Sequence, residues 1–256
     1  MERDLGLAVS DGRLEMYIQP QVNQQGATVG GELLMRWTHP SKGAISPSVF
    51  IPIAEESGMI LSVGKWALHE GCRALVRLEK EGHAIPLSIN ISPQQFRQND
   101  FVAQVKTALV QSGANPSNLL FEVTENLLIE NLDETVARML EITHLGIRFS
   151  IDDFGTGYSS LSYLKRLPLF ELKIDKSFIQ DAPEDSDDTA IVRSILSMAK
   201  HLRLRVVAEG VETLMQADFL VGAGCEVMQG YLFARPMAIS AWLQERRTTE
   251  RYGHDQ

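Results

Sequence analysis

Leu87-Ser88-Ile89-Asn90-Ile91-Ser92-Pro93-Gln94-Gln95 joins two kinds of pattern within a few residues. Apolar and polar side chains alternate as far as Ile91, as in a strand with one face toward a core. Ser92, Pro93 and Gln95 then supply an N-cap, a first-turn proline and a capping-box amide, so a helix is expected to open directly after the strand. That is half of a βα unit. The same pattern recurs along the chain, with strands expected at Leu14–Val22, Val29–Trp37, Pro86–Ser92, Leu119–Glu125, Ile147–Asp152, Phe170–Asp175, Arg205–Glu209 and Cys225–Gln229. Phe101, Val105, Ala108 and Leu109 form one helical stripe between strands, and Ile191, Ile195, Met198 and Leu202 another. About eight strands alternating with helices fit a closed parallel barrel, and 256 residues is the size of one such domain.

No low-complexity linker divides the chain, so residues 1–256 are read as a single domain, with its core over about 14–243 and a polar, fraying tail over 245–256. Glu184 to Asp188 reads as a loop and helix start. A hydrophobic fraction of 44% excludes disordered and disulfide-scaffold classes. The net charge of −9 disfavours nucleic acid polymers and anionic membranes as partners. No stretch approaches the roughly 18 apolar residues of a membrane span. Cys72 and Cys225 lack a Cys-x-x-Cys arrangement and read as buried thiols of a reducing, cytoplasmic compartment, with anchoring of any longer parent chain left open. The histidines show no zinc-ligand spacing.

Strand parity carries the chemistry. Ser88 and Asn90 oppose Ile89 and Ile91, and Glu122 opposes Phe121 and Val123. Asp152 opposes Ile151, Lys173 opposes Leu172 and Ile174, and Glu209 opposes Ala208. Helix caps explain one polar strand end, not five. In a parallel barrel the C-terminal strand ends meet on one rim. Carboxylates gathered there need cations to remain ionised. The donors Glu32, Asn90, Glu122, Asp152, Asp153 and Glu209 are all oxygen ligands, which suits Mg²⁺ or Mn²⁺ better than zinc. Adjacent Asp152 and Asp153, before Phe154-Gly155-Thr156-Gly157, offer a carboxylate that bridges two ions and a turn that approaches a phosphate.

Seven motifs follow one another along the chain: Gly31-Glu32-Leu33-Leu34-Met35-Arg36-Trp37, Ser88–Ser92, Glu122-Val123-Thr124-Glu125, Asp152–Leu161, Lys173-Ile174-Asp175, Ala208-Glu209-Gly210-Val211-Glu212 and Gln229-Gly230-Tyr231. In this order they resemble EAL-type cyclic di-GMP phosphodiesterase domains, and the resemblance runs from Leu14 to about Met237. The resemblance implies a modified (β/α)₈ barrel with one irregular strand direction near its start. It also implies hydrolysis of cyclic di-GMP to linear 5′-pGpG with two divalent cations, Mg²⁺ or Mn²⁺.

By the same resemblance, Glu32, Asn90, Glu122 and Asp152 are ligands of one ion, while Asp152, Asp153 and Glu209 surround the second. Lys173 resembles the contact to the attacking water and phosphate, and Glu209 the general base. Gln19, Leu34 and Arg36 fall on substrate-contacting positions. Glu125, Asp175, Glu212 and Gln229 fall on supporting ones, with Glu125 holding the loop after Asp153 and Gln229 supporting the water shell of the second ion. Arg36 shares the strand face of Glu32 and can reach a phosphate or pair with a rim acid. Gln19 reads equally as a satisfied strand amide.

Leu33 stands where the family has its signature alanine. Parity turns it away from Glu32, so the change is expected to alter packing before chemistry. Two other functions compete with hydrolysis: a non-catalytic cyclic di-GMP receptor, and a Schiff-base aldolase using Lys173. The second requires a lowered amine pKa, which nearby carboxylates oppose. Homodimerisation through Ser159–Leu167 and partnership with further domains of a longer chain remain open readings.

Overall fold

The strand carrying Ser88 and Asn90 is one stave of a closed barrel. The computed structural model describes residues 1–128, 131–156 and 164–252. Its strands are β1 (Leu14–Asn23), β2 (Thr28–His39), β3 (Gly43–Ile45), β4 (Leu87–Asn90), β5 (Leu119–Thr124), β6 (Arg148–Phe154), β7 (Leu169–Ile174), β8 (Arg205–Ala208), β9 (Val227–Met228) and β10 (Met237–Ala238). Around the barrel the neighbours are β1, β9, β8, β7, β6, β5, β4 and β2, and β2 pairs back with β1 to close it. From β2 through β4 to β9 every barrel pairing is parallel. β1 runs antiparallel to both neighbours, the irregular direction that the motifs implied. The cause is local: β1 and β2 are joined by the tight loop Gln24–Ala27, and a loop that short can only return the chain antiparallel. Asn23 Oδ1 accepts the amides of Gln25 and Ala27, and Gly26 supplies a positive φ of 76°.

Alternation sorts the two faces as expected. Leu33, Ile89, Phe121, Phe149, Ile151, Leu172 and Ile174 are fully or almost fully buried in one apolar core between strands and helices. Leu33 lies toward the helix Ile60–Lys80, where a Cβ added to Gly71 would come 3.5 Å from Leu33 Cδ1 and 2.1 Å from Ile89 Cδ1. The leucine in place of the family alanine therefore fills the helical shell. Phe96, Phe101, Phe121 and Phe149 continue that layer in edge and tilted ring contacts. Cys72 and Cys225 are buried free thiols. Ser92 accepts the amide of Gln95 as the N-cap of Pro93–Phe96, and Asp185 caps the helix Ser186–Leu202.

Some expectations shift. In Ser186–Leu202 the buried stripe is Val192, Ile195, Leu196 and Ala199, and Ile191 is exposed. The expected and observed rows overlap at Ile195, and Met198 and Leu202 flank the core as partly buried neighbours. The segment 245–252, read as a polar tail, continues the helix Ile239–Tyr252, and Arg246 and Arg247 hydrogen-bond Thr28 and Glu81. The core also begins before Leu14. The helix Glu2–Ser10 buries Leu5 and Ala8 against a second apolar cluster with Trp37, Phe50, Ala54 and Val63. Two apolar positions in a charged segment were too few to announce that contact. Of the segment Ser159–Leu167 read as a dimer contact, residues 159–163 lie outside the described residues. Among the described residues no helix is long and apolar enough to cross a membrane.

Candidate active site

Lys173, near the end of β7, stands in the barrel mouth with 1% of its side chain exposed. Its Nζ lies 2.6 Å from Glu209 Oε1, 3.0 Å from Glu122 Oε2, 3.1 Å from Asp152 Oδ1 and 3.3 Å from Glu32 Oε2. These carboxylates come from β2, β5, β6 and the residue after β8. They are far apart in sequence and adjacent in the barrel because parallel pairing sets Asn90 beside Glu122 and Thr124 beside Asp152. Glu209 follows β8, yet its amide still donates to Ile174 O, which keeps it beside the Lys173 strand. Asn90 Nδ2 donates to Glu32 Oε1 at 2.9 Å.

Asp153 sits in an irregularity of β6 between Ile151 and Phe154, in a left-handed conformation, φ 52°, which is uncommon for a non-glycine residue. Its amide donates to Asp152 Oδ1 at 3.1 Å, and the Gly155 amide donates to Glu125 Oε1 at 2.9 Å. Glu125 thus tethers the turn after Asp153. With the turn fixed, Asp152, Asp153 and Glu209 each offer a carboxylate oxygen, all within 4.8 Å of one another.

Burial and mutual repulsion shape the charges. Burial pushes Glu122 well above the usual carboxylate range, with Glu32 and Asp152 adding to the effect and Lys173 opposing it. Burial likewise raises Glu209 to about 8 against the pull of Lys173, and raises Asp153 to about 6 with help from Asp152 and Asp175. Glu32 is also buried, but Lys173, Gln229 and Asn90 outweigh that and lower it. Burial alone would lower Lys173; Asp152, Glu122, Glu209 and Glu32 together raise it well above its ordinary value. A lysine held so firmly protonated is no Schiff-base nucleophile.

These directions predict a pH effect on the metal-free protein. Glu209 and Asp153 titrate in the unfolded chain near 4.5 and 3.8 and in the fold near 8 and 6. As pH rises through that window the unfolded state releases its protons first, so the stability these groups contribute is lost progressively. The melting temperature of the chelator-treated chain should therefore fall between pH 5 and 8 by about a few degrees. Melting curves across that range check it, and a rising melting temperature would contradict the arrangement.

The donor set fits hard divalent cations. It is all oxygen, it carries more negative charge than one ammonium can offset, and Glu122 Oε1 is buried without a hydrogen-bond partner.

The remaining expected residues divide. Leu34, Gln19, Glu212 and Gln229 line the same cleft of about 310 Å³ as Glu32, Asp152, Lys173 and Glu209. Gln19 donates to Ala234 O and accepts from Gln229, the satisfied strand amide of one reading. The Gln229 amide, assigned by resemblance to a water shell, donates to Glu32 Oε2 at 2.6 Å. Arg36 donates to Met35 O and lies over the Tyr17 ring at 5.5 Å. Asp175 caps the helix Lys176–Gln180.

Lys176, Gly210, Gly230 and Tyr231 also line the cleft and were not singled out as site residues. Lys176 follows the Asp175 cap, which was the available signal. The half-exposed Tyr231 ring carries Arg235 at 4.2 Å, a pairing that spacing alone does not reveal. A larger cleft beside the helix Ser186–Leu202, about 490 Å³, shares no residue with this site.

Fold and site together define a modified (β/α)₈ barrel with a lysine-centred acidic mouth at the C-terminal strand ends. The EAL domain model matches residues 2–236, and the chain belongs to the EAL domain family. It is 44% identical over 236 residues to the bifunctional diguanylate cyclase/cyclic di-GMP phosphodiesterase MucR of Pseudomonas aeruginosa, covering 91% of this chain and 34% of that protein. It is 43% identical over 243 residues to the cyclic di-GMP phosphodiesterase NbdA of the same organism, covering 94% and 31%. The chain thus spans about a third of the length of these relatives. The structure of the MucR phosphodiesterase in complex with c-di-GMP superposes with a TM-score of 0.91 at 42% identity, covering 94% of this chain and 98% of that one.

Proposed function

We propose that this domain hydrolyses cyclic di-GMP to linear 5′-pGpG with two divalent cations, Mg²⁺ or Mn²⁺. The observation that carries the reading is the gathering of Glu32, Asn90, Glu122, Asp152, Asp153 and Glu209 with Lys173 at one barrel mouth. The likeness to MucR and NbdA supports cyclic di-GMP as the substrate.

Glu32, Asn90, Glu122 and Asp152 would hold one ion, and Asp152, Asp153 and Glu209 the other. When bound, such ions supply Lewis-acid charge at the phosphoryl group and ease ionisation of water near neutral pH. Two divalent ions would also cancel the excess charge of these five carboxylates and one ammonium.

The chain's own residues do the rest. The water oxygen adds to phosphorus as the bond to the ribose 3′-oxygen breaks, that oxygen takes up a proton from solvent, and the 5′-linked phosphate stays with the product. Glu209, just after β8 and beside the other acids, accepts the water proton. Lys173 places fixed positive charge where the equatorial oxygens gain negative charge. Arg36 offers a guanidinium fork to the second phosphate.

Cyclic di-GMP incubated with the chain and Mg²⁺ or Mn²⁺, with and without chelator, should yield 5′-pGpG only without chelator. Tight binding without product by the folded, metal-supplied chain would replace hydrolysis with the receptor reading.

A further inference from the structure

Lys173 serves more acids than its chemistry allows. An ammonium has three N–H donors, yet four carboxylates lie within 3.3 Å of Nζ. The site around it is otherwise nearly closed. Glu32 Oε1 takes the amide of Asn90, and Oε2 takes both Gln229 and Lys173. Glu122 gives Oε2 to Lys173 and keeps Oε1 buried without a partner. Every oxygen nearest to Nζ belongs to a residue in the proposed cation-binding set.

We propose that Lys173 is the resident counter-ion of the metal-free site, holding the ligand carboxylates together and having to withdraw from them when cations load. This rests on the metal-dependent reading above. A hard divalent cation sits about 2.0 to 2.6 Å from its oxygen ligands, so it would claim the space in which the ammonium now lies. Two cations sharing those oxygens in a partly desolvated mouth repel each other strongly. The four-carbon stem of lysine lets the ammonium move by side-chain rotation alone. Once withdrawn, the same group is free for an anionic partner, so metal loading and readiness for a phosphate become one event. The lysine also explains how four acids can be kept in contact during folding, before any ion is present.

The proposal separates Lys173 from a residue that merely assists the cations. An assisting lysine, once removed, leaves metal affinity unchanged or weaker. A competing lysine, once removed, leaves it stronger. Lys173→Met keeps the stem packing and deletes the charge. The chelator-treated variant should melt several degrees below the wild type, because four carboxylates lose their only buried cation. Its affinity for Mn²⁺, measured by titration calorimetry on chelated and dialysed protein, should be about tenfold tighter or more, and Mn²⁺ should raise its melting temperature further than it raises that of the wild type.

The wild-type chain provides a second measurement should the variant not fold. Isotope-labelled lysine should show one slowly exchanging side-chain ammonium resonance in the chelated protein, which shifts or loses protection as Mg²⁺ is added. Equal or weaker Mn²⁺ binding by Lys173→Met, or a protected ammonium unmoved at saturating Mg²⁺, would overturn the counter-ion role while leaving metal-dependent hydrolysis standing. Absence of Mn²⁺ binding by both proteins would overturn the hydrolytic reading and this inference with it.

Discussion

Asp153→Asn and Glu32→Ala are each expected to lower cyclic di-GMP turnover by about a thousandfold or more. Glu32 lies on β2 and Asp153 on β6, and the reasons differ. Asn keeps the shape of Asp153 and tolerates the left-handed backbone that Asp153 adopts. The neighbouring turn is held independently by Asp152 and Glu125. The fold should therefore persist, and the loss would report the missing charge among Asp152, Asp153 and Glu209. Glu32→Ala is less conservative. It strips an acceptor from the buried amide of Gln229 and the exposed amide of Asn90, and one acid from Lys173. Some stability should go with it, since a buried donor left without a partner costs about 1 to 3 kcal/mol. Far-UV circular dichroism and a melting curve distinguish a folded, inactive variant from an unfolded one. Near-normal turnover in both folded variants would contradict the assignment of these acids.

The barrel and its mouth were legible because both depend on period-two alternation. Glu122 beside Phe121, Asp152 beside Ile151 and Lys173 beside Leu172 already declare two faces, and parallel pairing aligns the polar face around one axis. What parity cannot state is which donor meets which acceptor. The family resemblance placed Gln229 at the site without showing that its amide grips Glu32, a contact that reaches past β1, the strand between β9 and β2. Parity placed Lys173 inside without showing that one ammonium touches four acids. The helix Glu2–Ser10 escaped notice for a different reason: Leu5 and Ala8, with partly buried Val9, bind it to the second core, while neighbouring Leu7 is exposed. On Ser186–Leu202 the expected stripe reaches the core through Ile195, Met198 and Leu202 and misses it at Ile191, because neighbouring apolar rows share helical spacing and only the partner surface decides among them.

Gly230→Ala is expected to be the most damaging small substitution near the mouth. A Cβ at this position would lie 2.0 Å from Val211 O, 2.3 Å from Val211 N and 2.6 Å from Val211 C. These are backbone atoms and cannot turn aside as a side chain would. The strands are locked there as well: Val211 N–H donates to Gln229 O, Leu232 N–H to Val211 O and Gln229 N–H to Ala208 O. Accommodating one methyl group would require the segment after β9 to part from the segment after β8, breaking some of those bonds. Overpacking of this kind costs about 1 to 3 kcal/mol where neighbours yield, and here the total should reach or exceed the upper end of that range. Urea unfolding measures it as a lower midpoint with unchanged slope. The same seam carries Glu209 on one side and Gln229 on the other, so the separation would also draw Glu209 from Lys173 and Gln229 from Glu32. Turnover should consequently fall even in the fraction that stays folded. A variant with wild-type stability and turnover would mean that the close approach of Gly230 to Val211 does not hold the mouth together.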